Sequence, residues 1–269
     1  MAGDFMTQTT PLVQDKVVLV TGAGGGIGRD IALAMAREGA RVVVNDIGAS
    51  VSGEGHDDGP AQQVVKEIQA LGGLAVASTD SVADAPSAAR MVHSAIEAFG
   101  RIDVVVNNAG WTHKNGPLLD VDEATFDKVY AINVKSIFHM VHAVVPLMRQ
   151  QKSGVILNVG STAGIRPRPG LSWYNGSKGA VNLLSKAMAV ELAPDRIRVN
   201  ALCPVMGATG LLGDFMGVPD TPENRAKFVA TIPLGRFCEP RDMAAAAVFL
   251  GTDAAEFLTG LEFPVGTRG

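Results

Sequence analysis

The chain is short of several things, and each shortage removes a class of function. Cysteine occurs twice in 269 residues, at Cys203 and Cys238. Two such residues make neither a disulfide scaffold nor the paired thiolates of a structural zinc site, and both read as reduced thiols of a cytoplasmic protein. The five histidines, His56, His93, His113, His139 and His142, contain no H-E-x-x-H or comparable cluster. His139 and His142 share a helical stretch, but a metal pair needs further ligands, so no metal is expected. Basic runs are missing too: 23 Lys and Arg are scattered against 27 Asp and Glu, for a net charge of −4. That leaves no electrostatic footprint for nucleic acid. The longest apolar segments, such as 137–148, are interrupted by His139, His142 and Pro146 and fall short of the ~20 residues of a spanning helix. No membrane partner is expected. The opening stretch, 1–14, is polar without the charge-then-apolar order of a secretory signal, and reads as a flexible tail.

What is present is an apolar chain, 47% hydrophobic, ample for a large core. Short β-branched runs alternate with helical patterns. Strands are expected at 17–20, 41–45, 74–78, 102–106, 155–159 and 197–201, and helices at about 61–71, 84–99, 123–151 and from Tyr174 to about 193. Continuous apolar strands suit a parallel sheet buried on both faces. The expected fold is therefore α/β, a doubly wound Rossmann-type parallel sheet flanked by helices on both faces. No repeat or low-complexity linker divides it, so 15–269 is expected to be a single domain.

The first strand runs into Thr21-Gly22-Ala23-Gly24-Gly25-Gly26-Ile27-Gly28 and then a helical pattern. Helix N-termini expose unpaired N–H groups, and glycines there let a pyrophosphate approach the backbone. Gly22, Gly26, Ile27 and Gly28 are thus candidate cofactor residues. Asp46 closes the second strand about 20 residues on, where a carboxylate accepts hydrogen bonds from an adenosine ribose and repels a 2′-phosphate. That favours NAD over NADP, although Arg29 and Arg41 lie near in sequence. The stretch 47–60, rich in Gly, Ser and Asp, reads as a surface loop. Asn107-Asn108-Ala109-Gly110 and Gly160-Ser161 follow two strands at the carboxyl edge, where open α/β sheets bind ligands. Asn133 interrupts an apolar helix, and Tyr174 and Lys178 sit four apart on one helix face. A phenol ionises near pH 10 and becomes a useful proton carrier when a positive charge stabilises the phenolate.

In this order, Thr21 to Gly28, Asn107 to Gly110, Asn133, Ser161, and Tyr174 with Lys178 resemble the short-chain dehydrogenase/reductase family, over nearly the whole chain. The resemblance implies that Tyr174 is the general acid and base, that Lys178, together with the positive charge of an oxidised nicotinamide, lowers its pKa and holds ribose, and that Ser161 binds the substrate oxygen. It implies that Asn133 holds a water joining Lys178 to solvent, and that Asp80, Ser81 and Asn108 contact the cofactor. Pro204, Gly207 and Thr209 match the segment that receives the nicotinamide carboxamide. Val205, where the family usually has glycine, and Val265-Gly266-Thr267, where it has Asp-Gly-Gly, depart from the pattern. The stretch 211–228 reads as a substrate lid.

The implied activity is interconversion of a secondary alcohol and a ketone, with a small-molecule substrate and a homotetrameric assembly. A 3-oxoacyl thioester reductase is the alternative within the family, with Arg166 and Arg168 leaving a basic docking patch open. A non-catalytic dinucleotide sensor is the alternative outside it. Trp111, His113, Trp173 and Met206 are expected to wall the substrate pocket.

Overall fold

The computed structural model describes residues 11–48 and 59–266. Residues 1–10 of the expected tail, most of the 47–60 loop and Thr267 lie outside the described residues. Packing begins ahead of position 15: Val13 is fully buried, and its N–H donates to Glu38 O at 3.1 Å.

Among the described residues seven strands form one parallel sheet: β1 (Val17–Thr21), β2 (Arg41–Asn45), β3 (Leu74–Ser78), β4 (Val104–Asn107), β5 (Gly154–Val159), β6 (Ile197–Pro204) and β7 (Glu262–Val265). Their order is β3-β2-β1-β4-β5-β6-β7. The helices are α1 (Gly26–Arg37), α2 (Gly59–Ala70), α3 (Ala85–Phe99), α4 (Glu123–Tyr130), α5 (Ser136–Gln151), α6 (Ser172–Leu192), α7 (Leu212–Met216), α8 (Pro222–Val229) and α9 (Pro240–Gly251). Alternate residues of one strand enter different cores. Val18 and Val20 pack on the side of α1 and α9, while Val17 and Leu19 pack on the side of α3 and α5. Burial of both faces is why these strands read as unbroken apolar runs.

Two elements differ from the sequence expectation. The seventh strand, Glu-Phe-Pro-Val, carries a proline that argues against a central strand, yet it adds to β6 at the sheet's edge, where a missing N–H is tolerated. The long helix at 123–151 is not uniform: residues Ala131–Lys135 form a π-helical segment between α4 and α5, with Asn133 inside it. Joined, the run Glu123–Gln151 is long and apolar enough to cross a membrane by length and composition. It packs instead as a core helix, with Met140, Val144 and Met148 buried among α3 and sheet residues.

β1 pairs with β2 on one side and β4 on the other, so strand order reverses beside the glycine turn. This switch point opens the crevice in which open α/β sheets bind ligands. Two glycines close the surrounding backbone. Gly22 takes φ 63°, and a Cβ there would lie 2.9 Å from Ala109 Cα. A Cβ on Gly28 would collide with the Gly22 carbonyl oxygen and Asn108 Nδ2. Gly25, by contrast, has nothing within 4 Å of a Cβ position.

Gly28→Ala is therefore expected to destabilise the fold by about 1–3 kcal/mol through overpacking. Gly25→Ala is expected to leave stability nearly unchanged while weakening dinucleotide binding. Denaturant unfolding beside NADH titration checks the contrast.

Candidate active site

The crevice holds a cavity of about 470 Å³ at the carboxyl edge of the sheet, within the range of small-molecule sites. Gly24, Gly25, Gly26 and Ile27 form one wall. α1 begins here with Gly25 as its N-cap, no side chain caps it, and its first turn holds no acid. Its first N–H groups are thus left for an anionic ligand, and the turn fits a dinucleotide's pyrophosphate. Gly22 and Gly28 lie behind this wall, holding its backbone close. Asn108, in the wall, donates from Nδ2 to Thr21 O at 2.9 Å and to Gly22 O at 3.0 Å. It fixes the turn that bounds the cavity.

Asp46 also lines the cavity. Its Oδ2 accepts the Gly24 N–H at 2.8 Å and its Oδ1 accepts the Gly48 N–H at 2.7 Å. The carboxylate braces the glycine turn and retains lone pairs for ribose hydroxyls. The arginines that leave a 2′-phosphate open are engaged elsewhere. Arg29 pairs with Asp30 and Glu67, and Arg41 pairs with Asp15 at the opposite end of β2. Asp80 and Ser81 stand outside the residues that line this cavity; Arg90 Nε donates to Asp80 at 2.6 Å, and Ser81 Oγ accepts the Ala83 N–H at 3.1 Å. Pro204, the last residue of β6, and Gly207 and Thr209 beyond it line the far side. Val205 lines it as well, its N–H donating to Val265 O at 3.0 Å, so this departure keeps the loop tied to β7.

Ser161, Tyr174 and Lys178 meet in the same cavity, each less than 9% exposed. Ser161 follows β5; its hydroxyl accepts the Ala163 N–H at 3.0 Å and acts to lower the pKa of the Tyr174 phenol. Lys178 Nζ donates to Val159 O at 2.8 Å and lies 5.9 Å from the Tyr174 ring centroid. Burial dominates the electrostatics. It pushes the phenol up to about 12, against the hydrogen bond from Ser161 and the positive charge of Arg168. It pulls the lysine down to about 8. Among the protein's own groups desolvation outweighs the charges; the lowering expected of Lys178 is one it shares with an oxidised nicotinamide.

Asn133 stands behind this trio. Its Nδ2 donates to Trp111 O and Ser177 Oγ, both at 2.9 Å, and its Oδ1 accepts the Trp111 N–H at 2.8 Å. The π-helical segment presents this side chain while α4 and α5 continue on either side. A Cβ on Gly110 would lie 3.4 Å from Lys178 Nζ and 3.5 Å from Asn133 Oδ1, so the two groups border one small gap.

Of the four residues expected to wall the substrate end, Trp111 and Met206 do so. His113 is buried away from the cavity, its Nδ1 donating to Lys114 O at 2.9 Å. Trp173 faces outward, donating from Nε1 to Leu118 O at 3.2 Å and meeting Phe126 edge-on. Proximity in sequence to Tyr174 misled there, because adjacent helix residues point about 100° apart. Leu171 and Phe215 supply the missing walls, and Phe215, from the lid helix α7, meets the Tyr174 ring at 5.1 Å. Among the described residues no group of His, Cys, Asp or Glu is arranged to hold a metal.

The family model described as enoyl-(acyl carrier protein) reductase matches residues 22–266. The chain is 44% identical to 4-formylbenzenesulfonate dehydrogenase of Comamonas testosteroni, over 91% of this chain and 94% of that one. It is 37% identical to 7α-hydroxysteroid dehydrogenase of Escherichia coli K12, over 94% of each. The crystal structure of 3-ketoacyl-(acyl-carrier-protein) reductase from Brucella melitensis complexed with NADH superposes with TM-score 0.84 at 38% identity, covering 94% of this chain and 97% of that one. From the glycine turn to the last strand, then, the chain belongs to the short-chain dehydrogenase/reductase family of oxidoreductases.

Proposed function

We propose that this protein is an NAD-dependent oxidoreductase interconverting a secondary alcohol and a ketone, with Tyr174 carrying the proton. The observation that carries the reading is the meeting of a phenol, a serine hydroxyl and a buried ammonium in one cavity with a glycine-rich helix N-terminus. The turn at Gly24 to Ile27 would hold the pyrophosphate, Asp46 the adenosine ribose, Tyr174 and Lys178 the nicotinamide ribose, and Pro204, Gly207 and Thr209 the carboxamide. When bound, the cofactor accepts or donates the hydride, and its oxidised ring adds a positive charge to the site.

In alcohol oxidation the Tyr174 phenolate takes the hydroxyl proton; in ketone reduction the phenol returns it. Ser161 holds the substrate oxygen as charge develops there. Lys178, an ammonium at neutral pH, offsets the desolvation that holds the phenol protonated. Asn133 positions Trp111 and Ser177, and the gap it shares with Lys178 beside Gly110 suits a water leading toward solvent.

Asp46 at the cavity and the engagement of Arg29 and Arg41 support NAD over NADP. The Brucella relative favours a second reading, reduction of a 3-oxoacyl thioester. A homotetramer is supported by an apolar groove between α5 and α6, where Phe138 is 56% exposed beside Leu184 and Met188. The buried free thiols Cys203 and Cys238 suit a cytoplasmic setting.

NADH formation across secondary alcohols, polyols and 3-hydroxyacyl thioesters tests the activity and separates the two readings. Tyr174→Phe is expected to lower turnover at least 10²-fold while retaining NADH binding. Tight NADH binding with no turnover of any compound would favour a sensor. Asp46→Ser is expected to shift the kcat/KM ratio toward NADP by an order of magnitude; an unchanged ratio removes Asp46 from cofactor choice.

The buried lysine makes a stability prediction. Its folded-state pKa, about 8, lies below the ordinary 10.5. Between these values the unfolded chain binds the proton and the folded chain has released it, so stability rises with pH across that window. Below it the buried charge costs stability in full. Lys178→Met is therefore expected to be more stable than the parent at pH 7 by up to about 3 kcal/mol. That advantage should shrink between pH 8 and 10.5. Urea unfolding of both proteins at pH 7 and pH 10 checks this, and a pH-independent difference contradicts it.

A further inference from the structure

Among the described residues three charged side chains line the cavity: Asp46, Lys178 and Arg168. The first two have roles at the cofactor, and Arg168 has none. Its charge is felt at the Tyr174 phenol, which it lowers. The backbone of the segment 168–170 is held at three points. Asn175, the residue after Tyr174 on α6, donates from Nδ2 to Arg168 O at 2.8 Å. Asn115 donates from its Nδ2 to Pro169 O at 3.1 Å and to Phe215 O at 3.2 Å, and the Gly116 N–H donates to Gly170 O at 3.0 Å. Gly170 takes φ 78°, and a Cβ there would collide with Asn115 Oδ1. The segment bearing Arg168 is thus clamped between the catalytic helix and the lid. The rest of this end of the cavity is apolar, formed by Trp111, Leu171, Met206, Leu211 and Phe215.

We infer that the substrate, on the oxidoreductase reading above, is an anionic one: a compact apolar body such as an aromatic ring, with a carboxylate or similar oxyanion received by Arg168. A guanidinium presents a planar fork that matches such a group with two parallel hydrogen bonds. The apolar walls bury the ring between them. Two anchors, the oxyanion at Arg168 and the reacting oxygen at Ser161 and Tyr174, fix which face of the carbon meets the hydride. A cavity with only apolar walls would bind neutral compounds equally well.

The test compares 3- and 4-(1-hydroxyethyl)benzoate, their methyl esters, and the corresponding hydroxymethyl compounds, each with NAD, in the parent, Arg168→Gln and Arg168→Lys. The parent is expected to favour the carboxylates over the esters at least 10-fold in kcat/KM. Arg168→Gln is expected to lose roughly 10- to 100-fold on the carboxylates, mainly in KM, with a much smaller loss on the esters. Arg168→Lys should recover part of that. A readout independent of turnover is the thermal shift produced by 3- or 4-acetylbenzoate with NADH present, expected in the parent and lost in Arg168→Gln. Equal turnover of carboxylates and esters overturns the inference, as does a uniform loss on both in Arg168→Gln. A raised KM for NAD in that variant overturns it too, by assigning Arg168 to the cofactor. Failure to turn over any compound counts against the oxidoreductase reading, and the acetylbenzoate shift still decides whether Arg168 binds the anion.

Discussion

Everything at this site depends on burying an ammonium. Lys178 is 5% exposed, and its Nζ donates to the Val159 carbonyl. Isolated in an apolar interior such a group sheds its proton, and here burial already brings its pKa to about 8. The fold tolerates this because the lysine sits where β5 ends and a backbone carbonyl points out of the ladder. The same corner buries the phenol and drives it the other way, up to about 12. Two groups are thus held in states opposed to proton transfer. Positive charge brought into the cavity acts on both, stabilising the phenolate and competing with the ammonium.

Rigidity around that corner comes from side chains rather than from the sheet alone. Asn107 donates to Asn158 at 2.8 Å, and Asn158 donates to Ser185 of α6 at 2.9 Å, all three buried. Thr21 Oγ1 accepts the N–H groups of Asn108 and Ala109, both at 3.1 Å, which binds the chain after β4 to the glycine turn. On the substrate side Asn182 donates to Ser161 O at 3.2 Å and to Glu262 at 2.8 Å, so β7 supports the serine loop. Buried polar groups that are satisfied in this way specify one arrangement. The side chains that meet in the cavity inherit their positions from amides.

Much of this was legible in the sequence, and the limits have physical causes. The strands at 41–45 and 74–78 match the structure residue for residue, because buried parallel strands write themselves as β-branched runs. The cavity collects Ser161, Tyr174, Lys178, Asp46 and the glycine turn from distant parts of the chain, as their order implied. β7 escaped because Pro264 and Glu262 break the apolar pattern at an edge where pattern matters least. The π-helical segment at Asn133 escaped because one extra residue in a turn leaves hydropathy unchanged. His113 and Trp173 were misplaced because side-chain direction is set by helix phase and loop packing. Arg168 reaches the cavity on a segment held by tertiary contacts, Asn175 with Arg168 O and Asn115 with Pro169 O, which no spacing encodes.

The most direct measurement of the central claim is the pH dependence of kcat for NAD-linked oxidation of whichever alcohol is turned over. The account predicts a rate that rises with pH through one ionisation well below 10, the ordinary phenol value, because on the proposed function the positive charge of the bound oxidised cofactor joins that of Lys178 to reverse the effect of burial. A profile flat from pH 5 to 10, or an ionisation that persists unchanged in Tyr174→Phe, would contradict it.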